Sequence, residues 1–266
     1  MATKEVRGDP FTGEFLVPDE PRFAVDIAQH LVPYLYCAER LGGMRVVEIG
    51  CGAGYGAQRL AAAAAQVHAY DRNPNAVAWA RQHYRAPNLS YRVEGIDPEA
   101  EPAAYDAACN FQVLEHLRRP DPFLRRLRGL LRDGGTLYLT TPNRLTSAGE
   151  NIYHVHEYTP QELARLLERH FSSVTILGIT GDRKFRAYQD ERRRSMRRFL
   201  RYDPLRLRRL VPRWLLAGLY ARLARWVRRD IQGALSPATV MVRPEDFRVD
   251  AGEIEACDDI FALCKP

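Results

Sequence analysis

Met44-Arg45-Val46-Val47-Glu48-Ile49-Gly50-Cys51-Gly52-Ala53-Gly54-Tyr55-Gly56 is the stretch that decides the fold. Its β-branched start reads as a short buried strand, and the residues from Gly56 to Ala65 read as an alanine-rich helix. Between them, glycines at alternate positions let the backbone turn tightly and approach a ligand that a Cβ would exclude. In doubly wound sheets such a turn lies at the carboxyl ends of the strands, where ligands bind.

Outward from this turn the pattern repeats. QVHAYD (66–71) is a second strand, followed by a helix from Asn75 to Tyr84 and the strand LSYRV (89–93). YDAACN (105–110), a helix from about Pro122 to Leu131 and GTLYLTT (135–141) continue it, with Gly134-Gly135 turning into the last strand. Pro160 to His170 reads as a helix with Thr159 as N-cap, and SSVTILGI (172–179) follows as a strand. This alternation implies a parallel sheet covered by helices on both faces. A helix from about Glu20 to Arg40, broken at Pro33, precedes it, and DDIFALCK (258–265) reads as a final strand. The expected organisation is an N-terminal helical cap (1–43), a core (44–180, completed by 257–266) and a basic helical insertion or lid (181–256).

Composition bounds the rest. With 266 residues, 46% hydrophobic and 27% charged, the chain has the make-up of a globular protein with one sizeable core. Its start lacks the apolar run of a secretory signal, and no stretch approaches the about 20 apolar residues of a membrane span. Five cysteines without CxxC spacing suit a reducing compartment and argue against a zinc site or a disulfide framework. The expectation is a cytoplasmic protein. The net charge of +6 hides an asymmetry: Asp182 to Asp230 holds 17 basic and 5 acidic residues, leaving the remainder at −6.

Two acids flank the glycine turn. Asp71 closes the second strand, where a carboxylate can accept ribose hydroxyl protons, a role that NAD enzymes and S-adenosylmethionine (SAM) enzymes share. Gly52 to Ala57 also satisfies the GxGxxA form of a dinucleotide fingerprint. Glu48 favours a cationic sulfonium amino acid, because at that place it would repel a pyrophosphate. The plainer alternative is that the glycines serve only to pack helix on strand.

Four motifs in order, VVEIGCGAGYGAQRLA, VHAYDRNPNAVAWAR, YDAACNFQVLEHL and LLRDGGTLYLTTPNR, resemble those of class I SAM-dependent methyltransferases. The likeness covers roughly residues 30–180. It is closest to the branch with an EH pair after the fourth strand and TPN after the fifth, which includes ubiquinone-pathway and glycan or natural-product O-methyltransferases. The resemblance implies a Rossmann-like α/β sheet of seven strands with the last antiparallel. It implies SAM held by Glu48, Gly50, Gly52 and Gly54, with Asp71 on the ribose and Asn110 and Phe111 beside the methionine part. Near the adenine the family carries an acid directly after a glycine; here Gly95 is followed by Ile96 and then Asp97, so the contact falls on one of these two.

Gln112, Glu115 and His116 are expected on one face of a helical turn at the pocket mouth, with His154 and His156 returning over it from the loop after the fifth strand. Imidazole and carboxylate together make either a general base, through His116 or His156, or a divalent-metal site of Glu115, His116 and His154. Similar metal-binding methyltransferases use a second acid where this chain has Gln112. A purely structural role for the pair is the third reading. In the basic segment, Leu215, Leu216, Leu219, Tyr220, Leu223, Trp226 and Val227 share one helical face opposite arginines. That pattern fits a lid, peripheral contact with the inner membrane face through residues 191–230, or, less well, nucleic acid. The expected reaction is methyl transfer to an oxygen on a small molecule, a glycan or a lipid-linked intermediate. The alternatives are an RNA methyltransferase and a SAM-binding protein without catalysis.

Overall fold

In the computed structural model, residues 23–94, 103–147, 151, 153–200 and 241–266 are described. Helix α1 (Ala24–Ala38) is followed by β1 (Arg45–Ile49), α2 (Tyr55–Ala61), β2 (Gln66–Asp71), α3 (Pro74–His83) and β3 (Leu89–Val93). Then come β4 (Tyr105–Phe111), α4 (Pro120–Leu130), β5 (Leu131–Pro142), α5 (Pro160–Glu168), β6 (Ser173–Gly181) and α6 (Arg183–Leu200). The chain closes with β7 (Phe247–Asp250) and β8 (Asp259–Lys265). They build one eight-stranded sheet in the order β3-β2-β1-β4-β5-β8-β6-β7. Pairing is parallel from β3 through β5, while β8 runs antiparallel to both β5 and β6. The final strand is therefore antiparallel, as expected.

The strand count is one higher than expected. β7 pairs antiparallel with the end of β6, Gly181 opposite Phe247, and lies within the 181–256 stretch assigned to a helical insertion. Phe247-Arg248-Val249-Asp250 on a sheet edge alternate apolar and polar, but four residues are too short a run to announce a strand. The described start of that stretch also joins the body: Phe185 and Tyr188 of α6 bury against Val25 and Ala28 of α1 and Val242. A second correction concerns α1, which runs unbroken through Pro33. The missing N–H there costs one hydrogen bond in a helix whose packing against the sheet maintains it.

Helix starts follow local chemistry. Asn73 accepts hydrogen bonds from the amides of Asn75 and Ala76 ahead of α3, and Thr159 and Glu162 form a reciprocal capping box at α5. Two apolar layers sandwich the sheet. Val47, Ile49, Ala108 and Leu139 face α4 and α5 through Phe123, Leu127, Leu163 and Leu167. Val46, Val67, Phe111, Tyr138 and Phe261 face α1 and α2 through Val32, Tyr34, Cys37 and Leu60. The strand order reverses between the parallel strands β1 and β4, so a crevice opens at their carboxyl ends.

Candidate active site

The glycine turn is built as its residues require. Gly50, Gly52 and Gly54 have φ of 89°, 51° and 85°, a region that side chains with a Cβ avoid. At Gly50 a Cβ would lie 2.3 Å from Val113 Cγ2, so the turn and the segment after β4 touch backbone to side chain. The amides of Gly50 and Cys51 both donate to the Tyr70 carbonyl, at 2.7 and 3.0 Å. Asp71 ends β2 beside them. Its Oδ2 accepts the Gly52 amide and its Oδ1 the Asn73 amide, each at 2.8 Å. Each oxygen keeps a further lone pair for a ligand.

Glu48 is buried, and Tyr34 of α1 donates to its Oε1 at 2.6 Å. Its Oε2 is buried without a hydrogen-bond partner. Burial, aided by the charge of Asp71 and opposed by the Tyr34 bond, pushes its carboxyl up to about 7. Across the crevice Asn110 Nδ2 donates to the Ile49 carbonyl at 2.8 Å, while Asn110 Oδ1 is buried and unpaired. Phe111 presents its ring edge-on to Tyr34, centroids 4.7 Å apart. Ile96 and Asp97 lie outside the described residues.

After β4 the expected helical turn is replaced by a tighter one. Gln112 adopts φ 57°, and only Leu114–His116 form a single 3₁₀ turn, so Gln112 does not share a helical face with Glu115. The backbone carbonyl of Glu115 receives the amides of Val155 and His156, at 2.7 and 3.1 Å, which brings the loop after β5 onto this turn. Glu115 and His154 thereby meet although 39 residues separate them.

The histidine hydrogen bonds fix where the lone pairs point. His116 Nδ1 lies 3.1 Å from the Tyr153 carbonyl and must donate to it, leaving Nε2 as an acceptor. His154 Nδ1 donates to Glu157 Oε1 at 2.5 Å, and its Nε2 accepts from Asn151 Nδ2 at 2.9 Å. Glu115 Oε2 accepts the Thr141 hydroxyl at 3.1 Å, while Oε1 is buried and unpaired, 3.9 Å from His116 Nε2 and 4.0 Å from His154 Nε2. One ligand atom from each of the three residues lies within 4.8 Å of the others. Burial pushes Glu115 up to about 7, and burial with the neighbouring His154 lowers His116 to about 4. His156 stands apart: it is exposed, 3.8 Å from Glu162 Oε2 and edge-on to Tyr158.

The TPN motif organises these parts. Thr141 holds Glu115, and Asn143 Nδ2 donates to the carbonyls of Glu255 and Cys257 at 3.0 Å each, tying the turn before β8 to the end of β5. Sequence reasoning missed Tyr34, Thr140, whose buried hydroxyl is unpaired, and Asp259, whose Oδ2 accepts Gln29 Nε2 at 2.7 Å. Only the Asp-Asp pair opening the last strand hinted at one of them.

A sheet parallel from β3 through β5, with a glycine turn after β1, an acid closing β2 and an antiparallel last strand, is the class I methyltransferase fold. The chain belongs to the family described as "Methyltransferase domain", which matches residues 22–173. A "Probable S-adenosylmethionine-dependent methyltransferase" of Mycobacterium tuberculosis is 37% identical over 175 residues, 63% of this chain and 63% of that protein. A "Ubiquinone biosynthesis O-methyltransferase" of Xanthomonas campestris is 34% identical over 156 residues, 57% of this chain and 63% of that protein. The chain thus spans less than two thirds of the length of these curated relatives. Among solved structures, a SAM-dependent methyltransferase of Thermotoga maritima superposes with a TM-score of 0.58 at 13% identity, covering 91% of each chain, which shows a shared fold. No helix among the described residues is long and apolar enough to cross a membrane.

Proposed function

We propose that this chain binds SAM and transfers its methyl group to an oxygen of a small-molecule, glycan or lipid-linked acceptor. The observation that carries the reading is the pair of buried, unpaired acceptors at the carboxyl ends of β1 and β4, Glu48 Oε2 and Asn110 Oδ1. Buried acceptors without partners are costly, and a ligand bearing an ammonium and a sulfonium supplies both the donors and the charge they lack. The residues fit that group: Glu48 and Asn110 face its cationic end, Asp71 offers two free lone pairs to ribose hydroxyls, and the glycine turn leaves backbone exposed between them. A pyrophosphate would meet the Glu48 carboxylate instead.

When bound, the sulfonium supplies an activated methyl group, so alignment alone can provide on the order of 7–11 kcal/mol. The protein adds a proton acceptor. His116 is neutral near pH 7, its Nδ1 is committed to Tyr153, and its Nε2 lone pair is available to a hydroxyl. Glu115 beside it would stabilise the imidazolium that forms. A matched base contributes roughly 10²- to 10⁴-fold, and with its value lowered to about 4 His116 falls toward the low end of that range. The naming of the Xanthomonas relative supports oxygen as the acceptor atom.

A second reading has one specific observation in its favour. Glu115 Oε1, His116 Nε2 and His154 Nε2 converge, and each residue is held by an outer partner, Thr141, Tyr153 or Glu157, although an ion there would have to displace the Asn151 amide from His154 Nε2. That outer support is typical of metal ligands, and a divalent ion there would polarise the acceptor hydroxyl. Peripheral membrane contact through residues 191–230 is a proposal on charge and sequence pattern, since residues 201–240 lie outside the described ones. A thermal-shift panel tests the main reading: SAM and S-adenosylhomocysteine should raise Tm, and NAD and NADP should not. Stabilisation by NAD alone would overturn it.

A further inference from the structure

Asp259 is the first residue of β8, opposite Pro142 of β5 and Ile179 of β6, at the edge of the sheet where the site opens. It is buried, and among the described residues no cationic side chain pairs with it. Its carboxylate instead collects two side-chain amides from distant parts of the chain. Gln29 of α1 donates to Oδ2 at 2.7 Å, and the Gln112 amide also hydrogen-bonds it. The adjacent Asp258 is engaged elsewhere, accepting the Gly181 amide at 2.9 Å.

Each amide comes from a segment that the site needs in place. α1 carries Tyr34, the partner of Glu48, so Gln29 fixes the helix that covers the cofactor side. Gln112 opens the turn that presents Glu115 and His116. It does so at φ 57°, a conformation a non-glycine residue holds only when its surroundings enforce it. The backbone end of that enforcement is the Gln112 amide donating to the Thr140 carbonyl at 3.0 Å, and the side-chain end is Asp259.

We propose that Asp259 is a positioning residue of the methyl-transfer site, one carboxylate clamping the cap helix through Gln29 and the acceptor-side turn through Gln112. Its meaning rests on the methyltransferase reading above, but its test needs no cofactor. Failure to bind SAM would sink that reading and leave the clamp standing, whereas the outcomes below concern the clamp alone.

Hydrogen exchange should be followed in wild type and Asp259→Ala, with ¹⁵N NMR of the His116 ring. In the folded variant, residues 24–38 and 112–117 should exchange about three- to tenfold faster, the effect of one lost hydrogen bond in each segment. Residues 50–56 should stay at the wild-type rate. His116 should change from a single Nδ1–H tautomer to a mixture, a signature that loss of general stability would not select. Asp259→Asn keeps the size and one acceptor oxygen, so it should restore the tautomer at least in part. Wild-type exchange in both segments, or a uniform increase along the chain with the tautomer unchanged, would overturn the proposal. Should Asp259→Ala fail to fold, the half-buried partners decide. Gln29→Ala should loosen only 24–38 and Gln112→Ala only 112–117, and either variant leaving its own segment unchanged overturns the clamp.

Discussion

Replacing Glu48 by Gln should make the ligand-free protein more stable at alkaline pH and a weaker binder. In the folded chain this carboxyl sits at about 7 against an ordinary value of 4.5, chiefly because it is buried. Between those values the folded state holds a proton that the unfolded chain has released. Stability therefore falls as pH rises from about 4.5 to about 7 and levels off above. At 1.36 kcal/mol per unit the difference amounts to about 3 kcal/mol. Glutamine is isosteric, keeps an oxygen for the Tyr34 hydroxyl and cannot ionise, so the variant should lose this slope. Glu115 and Asp259, also pushed up to about 7, retain theirs, so the wild-type-minus-variant difference isolates Glu48. Urea unfolding at intervals from pH 4 to 8.5 should show the two proteins converging at the acid end and the variant ahead by about 3 kcal/mol at pH 8. Binding should move the other way. A lost charge-assisted contact costs about 1.5–3 kcal/mol, or roughly 10- to 100-fold in SAM affinity by calorimetry. A variant no more stable than wild type at pH 8, with the slope intact, would refute the burial argument. Unchanged SAM affinity would remove Glu48 from the site.

Asp71→Ala should weaken SAM binding by about 1–3 kcal/mol and also loosen the turn, because its carboxylate holds the Gly52 and Asn73 amides; calorimetry on the folded variant checks this, and wild-type affinity would exclude Asp71. His116→Ala should keep SAM affinity within about twofold and lower kcat roughly 10²- to 10⁴-fold. His156→Ala, at an exposed residue beside Glu162, should leave kcat near wild type in the same assay, and a large loss there would transfer the base role to His156. If Glu115, His116 and His154 hold a divalent ion, exhaustive chelation should abolish turnover and added metal restore it; full activity with no metal by elemental analysis leaves only the base or the structural reading.

What the sequence disclosed is what local pattern encodes. The glycine turn, the acids at 48 and 71 and the strand–helix alternation are all short-range, and the Thr159 cap announced α5. The loop after β5 was readable as returning to the crevice because carboxyl-end loops converge there, so His154 was placed beside Glu115. Other features depend on tertiary context. β7 has four residues and exists because the end of β6 offers an open edge. Pro33 stays helical because α1 packs on the sheet. Gln112 takes a left-handed φ that glutamine does not advertise, which moved it off the Glu115 face. Tyr34 with Glu48 and Gln29 with Asp259 are long-range partners that no spacing rule brings together.

SAM is expected to bind in the crevice between β1 and β4. Isothermal titration of the folded wild-type protein with SAM at pH 6.0, where the Glu48 carboxyl is still mostly protonated, in two buffers of different ionisation enthalpy, is the decisive test. One site per chain is expected, with most of a proton released on binding as the cationic ligand draws Glu48 into its charged form. A folded protein that gives no heat with SAM, or binds it with no proton release, would contradict it.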